Sequence, residues 1–182
     1  LTMVEHALTR GAQFQIATGA WAQAANAATE ALPLTASTGH PGLTALPLAE
    51  LALVAALRGD ESAEEHLASV SAIRERHAVG IAEPLVDDFA HWARGLREST
   101  QPARALHHLE QIRSPWIRRM AAIDRIETAA RADRRDLALD WVGELAEFAA
   151  ASGVHAATAA VAHGRGVLAE GDDGGAHFRG AL

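Results

Sequence analysis

A tight polar break keeps returning along this chain, and its spacing constrains the fold more than any other feature. "LRGDESAEEHL", residues 57 to 67, is a leucine, a short turn and the acidic start of a helix. Variants follow as Leu96-Arg97-Glu98-Ser99 running into Pro102 to Leu109, Ala130-Arg131-Ala132-Asp133 running into Leu137 to Trp141, and Leu168-Ala169-Glu170-Gly171 running into Ala176 to Phe178. With Gly19 and Gly59 added, the turns at Gly19, Gly59, Glu98 to Thr100, Asp133 and Gly171 recur at roughly 34 to 40 residues, the length of a two-helix unit. Such a hairpin cannot bury its apolar face alone and must stack on its neighbours. The expectation is an all-α chain, an α-solenoid of about five helical hairpins wound as a right-handed superhelix; a compact bundle is the alternative.

Periodicity places about ten helices. Val4, Leu8 and Ala12 suggest one before Gly19, and Trp21, Ala24, Ala25, Ala28, Ala31 and Leu32 share one face of a second that should end by Gly39. Gly39-His40-Pro41-Gly42 reads as a helix stop and turn. Residues 43 to 57 are apolar on nearly every side, which predicts a central helix closed by Gly59-Asp60. Ser62-x-x-Glu65 is a possible capping box for the next helix, with Asp60 as the simpler cap. That helix carries Ala63, Leu67, Val70, Ile73 and His77 on one side, and Gly80 should terminate it. Leu85, Phe89, Trp92 and Leu96 form the cleanest stripe, with Pro84 tolerated in the first turn. Pro102 then opens a helix with Leu106, Leu109 and Ile112, and Ser114-Pro115 opens one predicted to point Trp116, Met120, Ile123 and Ala130 inward. Asp133 should cap a helix bearing Leu137, Trp141, Leu145 and Phe148, which Ser152-Gly153 stops. Val154, Ala157, Val161 and Leu168 mark the next, and Gly171 to Gly175 turns into a last one with Phe178. All four tryptophans, Trp21, Trp92, Trp116 and Trp141, are expected to fill space between stacked helices.

Composition agrees with helices and narrows the function. Of the 182 residues 49% are hydrophobic but only 4% aromatic, with no tyrosine and much alanine, which suits closely packed helices. The net charge of −7 argues against a nucleic-acid-binding surface, since phosphate contacts need a clustered positive field. Without cysteine there is neither a disulfide framework nor thiolate chemistry, which fits a reducing compartment. Charge interrupts every apolar stretch before the ~20 residues of a membrane span. The chain is therefore expected to be cytoplasmic. It starts abruptly and stops as a helix begins, and is read as one helical-repeat domain over 1–182, a fragment of something longer.

No catalytic constellation stands out. Asp87 or Asp88 with His91, and the pair His107-His108, have helical spacing suited to a metal, but no third or fourth ligand converges on them, so surface histidines are the ordinary reading and neither metal nor cofactor is expected. The run Gly171-Asp172-Asp173-Gly174-Gly175 lacks the alternating acids of a calcium loop and the lysine of a phosphate loop, and is read as a hairpin turn. No Gly-x-Ser-x-Gly elbow occurs. Arginines crowd between Arg113 and Arg135, with Arg118, Arg119, Arg125, Arg131 and Arg134 interleaved with Asp124, Glu127 and Asp133. A solvated, ion-paired face is the plain explanation; an acidic partner or phosphate-bearing ligand is the sharper one. In a paired-helix solenoid the first helix of each hairpin lines the concave side, and that geometry nominates Arg94, Asp124, Arg125, His155 and His163 as groove-facing residues.

The stretches "HPGLTALPLAELALVAALRGD" and "IETAARADRRDLALDWVGELAEFAAASGVHAATAAVAHGRGVLAEGD" resemble the tetratricopeptide-like region of large ATP-binding LuxR-type transcriptional regulators of high-GC bacteria, the group that includes MalT-like proteins. The likeness runs from about Trp21 onward. It implies a helical-repeat region that lies between an ATPase module and a C-terminal helix-turn-helix and receives inducers or partners. This segment carries neither a Walker lysine motif nor a recognition helix, and its repeats depart from the 34-residue tetratricopeptide consensus. The expected function is a non-catalytic interaction or sensor module that binds a protein partner, another copy of itself or an inducer, without contacting nucleic acid or membrane. A free-standing tetratricopeptide-like adaptor unrelated to transcription is the alternative.

Overall fold

The computed structural model describes residues 2–169, and among these every regular element is helical. The Gly171 turn and the helix expected around Phe178 lie outside the described residues. Ten α-helices run α1 (Thr2–Ala17), α2 (Trp21–Ser37), α3 (Ala45–Leu57), α4 (Ser62–Arg76), α5 (Glu83–Arg97), α6 (Pro102–Glu110), α7 (Pro115–Met120), α8 (Ala122–Arg131), α9 (Arg135–Ser152) and α10 (His155–Leu168). Short 3-10 turns at Pro41–Thr44 and Gly80–Ala82 lead into α3 and α5. None of the described helices is long and apolar enough to cross a membrane.

The helices gather into two compact units. The first comprises Leu1–Arg97 with Gln111–Ser114, and the second comprises Glu98–Glu110 with the described part of Pro115–Leu182. In the first unit α3 packs against α2, α4 and α5, and ten of its residues are buried, as an apolar run on all sides requires. Alanine allows that density: Ala12, Ala28, Ala45, Ala49, Ala52 and Ala63 have no exposed surface, so backbones approach closely. Gly42 shows how closely, because a Cβ there would lie 2.0 Å from the Ala78 carbonyl oxygen. In the second unit α8 packs against α6, α9 and α10, around Ile126, Ala129, Ala138, Trp141, Val142 and Val161.

The turn chemistry follows the glycines. Gly59, at φ 70°, and Gly153, at φ 67°, take the left-handed conformation that ends α3 and α9, a region open to glycine at little steric cost. The link before α9 is different. Asp133 does not cap α9; it adopts φ 58° and itself makes the left-handed turn, a conformation for which aspartate is among the better non-glycine residues. At the start of α4 the N-cap position is Glu61, which makes no side-chain cap bond; one residue earlier the Asp60 carboxylate accepts the Ser62 amide at 2.9 Å, and this bond holds the Asp60 pKa below its ordinary value. α4 stops at Arg76, short of Gly80, and His77 is exposed.

Three inward assignments change. The helix opened by Ser114-Pro115 breaks at Ala121 into α7 and α8, and the buried positions are Ile117, Ala121, Ala122, Arg125, Ile126, Thr128 and Ala129. Ile123 is 40% exposed, while Trp116, Met120 and Ala130 are only half-buried. Trp21, the first residue of α2, is 36% exposed rather than core, and Val154 is exposed just ahead of α10. Trp92 and Trp141 are buried as expected.

Candidate functional site

The second unit holds a cleft of about 90 Å³ between the α7–α8 pair and α9. Arg118, Ala122 and Arg125 supply one wall, spaced at four and three residues across the break at Ala121. Trp141, Glu144 and Leu145, spaced at three and one on a single face of α9, supply the other. Arg119 and Pro115 complete the lining. Two arginines stack on α9 aromatics: the Arg125 guanidinium lies 3.9 Å from the Trp141 ring centroid and that of Arg119 lies 4.0 Å from Phe148.

Arg125 is the unusual member. It is 4% exposed, its Nε is buried without a hydrogen-bond partner, and among the described residues no carboxylate lies within ion-pair distance of it. Burial is the main force pulling its pKa down to about 10; the neighbouring charge of Arg118 adds to this, while Glu144 and Glu110 oppose it. It remains a cation at neutral pH. Stacking on tryptophan contributes roughly 0.5–2 kcal/mol. Withdrawing a cation from water without an acceptor costs several kcal/mol. The stack alone therefore leaves the buried Nε uncompensated, and Glu144 is the one carboxylate in the lining against three guanidinium groups.

The other nominated residues behave differently. His163 on α10 meets Glu127 on α8 at 2.7 Å, a partly exposed pair that ties the two helices. Asp124 is half-buried on α8. His155 is exposed at the start of α10, about 12 Å along the helix from His163, too far to join the Glu127 pair. Arg94 lies half-buried on α5, in the first unit.

The carboxylates at helical spacing from His91 have structural duties. Asp88 is 1% exposed, and its two oxygens accept the backbone amides of Arg113 at 2.7 Å and Ser114 at 2.9 Å, fastening residues 111–114 to α5. Asp87 pairs with Arg74, which also reaches Glu83. His108 lies 3.7 Å from Glu98 and beside His107, with ring centroids 5.7 Å apart. Among the described residues no three histidine, aspartate or glutamate side chains converge as a metal set.

One buried acid went unread. Glu50, in the middle of α3, has no exposed surface; one carboxyl oxygen accepts the Gln13 side-chain amide at 2.8 Å and the other has no partner. Burial pushes its pKa up to about 8, against the Gln13 hydrogen bond and the Arg10 charge, with Glu5 adding slightly to the rise. The signal was present as the single charged residue in "LPLAELALVAAL".

The chain matches no protein-family model, no curated protein and no solved structure. Its chemistry must accordingly be argued from its own residues, and what collects in the cleft is three guanidinium groups, one carboxylate, an indole and a few aliphatic side chains.

Proposed function

We propose that this chain is a non-catalytic helical-repeat module, tetratricopeptide-like in design, that serves a LuxR-type transcriptional regulator by binding a partner protein or an inducer. One observation carries the reading. Within the first unit α3 packs on α4, its hairpin partner, and on α5, the next helix but one; within the second, α8 packs on α9 and α10 in the same relation. Helices that touch the next and next-but-one members of the chain suit stacked hairpins, in which each unit buries its apolar face on its neighbours. The recurring links support this, because left-handed residues at positions 19, 39, 59 and 80, and again at 133 and 153, punctuate the chain roughly every twenty residues. The resemblance of residues 40–60 and 126–172 to the repeat region of LuxR-type regulators supplies the parentage.

The parentage is tested by sequencing the gene on both sides of this segment. The expected result is an ATP-binding module encoded upstream of Leu1 and a helix-turn-helix downstream of Leu182. A start codon directly before Leu1 and a stop codon directly after Leu182 would refute it.

A further inference from the structure

We propose that the cleft around Arg125 is a binding site for a small oxyanion, the phosphate or carboxylate group of a soluble metabolite, which the buried guanidinium receives. The assignment is independent of the regulator reading above, because it rests only on the α7–α9 region.

Four observations converge. Arg125 is 4% exposed in the wall of a cleft, and its Nε is buried with no hydrogen-bond partner among the described residues. Buried polar groups nearly always find hydrogen-bond partners, so an unmatched cation beside a cavity points to a partner from outside the chain. The Trp141 ring holds the head at the cleft wall, with the guanidinium carbon 3.9 Å from the ring centroid, and a guanidinium fork suits a planar or tetrahedral oxyanion. The charge balance favours an anion, since Arg118, Arg119 and Arg125 outnumber Glu144, the only acid in the lining. Finally, about 90 Å³ is room for a few water molecules or one oxyanion head group.

The packing also separates this arrangement from a merely structural arginine. A surface arginine that lays its stem on apolar neighbours keeps its head in water. Here the Nε of the head is itself buried, and Arg119 sits over Phe148 about two turns further along α9 while remaining exposed.

The test is isothermal titration of the whole chain with sodium phosphate and, separately, sodium succinate, with ionic strength held constant by sodium chloride, accompanied by thermal melts. Saturable binding of at least one probe with a raised Tm is expected. Phosphate alone would identify a phosphate-bearing ligand, succinate alone a carboxylate, and both a general oxyanion hole. Arg125→Met, which keeps the aliphatic stem, and Arg118→Gln should each weaken binding about tenfold or more. Arg104→Ala, on α6 beside His107 and His108, should leave it unchanged. Should Arg125→Met fail to fold, Arg118→Gln decides. No binding of either probe to the wild type, or equal binding by wild type and the Arg118→Gln variant, overturns the proposal.

Discussion

Glu50 should make the stability of this protein fall with pH across the neutral range, and replacing it with glutamine should remove most of that fall. The carboxyl is fully buried in α3, and burial lifts its pKa from an ordinary 4.5 to about 8 in the folded protein. Below pH 4.5 it is protonated in both the folded and the unfolded chain and contributes no pH dependence. Between 4.5 and 8 the unfolded chain releases the proton while the folded one keeps it. Folding then takes up a proton, and stability drops by about 1.4 kcal/mol per pH unit. The loss amounts to about 1 kcal/mol at pH 5 and about 4 kcal/mol at pH 8, and levels off near 5 kcal/mol once both states ionise. Glutamine preserves the oxygen that accepts the Gln13 amide and cannot ionise, while its NH2 takes the place of a carboxyl oxygen that already lacks a partner. Any fixed cost of the swap is the same at every pH, so the slope is the diagnostic quantity. Urea unfolding of wild type and Glu50→Gln at pH 5, 6, 7 and 8 should give curves that diverge, with the variant gaining about 3 kcal/mol relative to wild type between the ends of the range. A difference that stays constant from pH 5 to 8 would show that Glu50 ionises freely in the folded protein, and the argument from burial would fail.

Three further substitutions probe the packing. Asp88→Ala strands two backbone amides, those of Arg113 and Ser114, and should cost about 2–4 kcal/mol in chemical denaturation; a loss below about 0.5 kcal/mol would mean those amides find other acceptors. Trp92→Ala removes a side chain that is 4% exposed and should cost about 3–5 kcal/mol, whereas an unchanged melt would deny it a core role. Gly42→Ala drives a Cβ against the Ala78 carbonyl oxygen and should lower stability by about 1–3 kcal/mol or more, in contrast with Gly11→Ala, where the added methyl meets nothing and helix propensity should raise stability slightly. Equal Tm values for the two glycine variants would contradict the close approach.

What the sequence discloses here is local periodicity, and that suffices for the helices. The stripe Leu85, Phe89, Trp92, Leu96 matches α5, and Gly59 and Gly153 end the helices they were expected to end. Failures occur where a polar residue occupies an inward position. Paired-helix geometry predicts Arg125 to face the groove and helical spacing predicts Ile123 to point inward, whereas the buried side carries Ile117, Ala122, Arg125, Ile126, Thr128 and Ala129. Asp88 has His91 and Asp87 as its local company in the sequence, while its partners are amides about 25 residues further on, which helical spacing cannot reveal. Asp133 has the composition of a cap and the geometry of a left-handed turn, and only the backbone separates the two.

These exceptions share a cause that bears on function. A chain built from alanine and leucine stripes has no need to bury a charge, since hydrophobic residues of similar volume fill such positions at equal or lower free energy. Asp88 offsets its burial by accepting two amides, and Glu50 offsets part of its own by holding a proton and one hydrogen bond. Arg125 has neither recourse: it keeps its charge at neutral pH, and its buried Nε has no partner among the described residues. A buried group whose cost is met within the fold explains itself as structure. The one whose cost is not met, at the wall of a cleft with a surplus of positive charge, is where an external anion stabilises the folded state most, which is why the oxyanion titration is the sharpest single test of what this helical array binds.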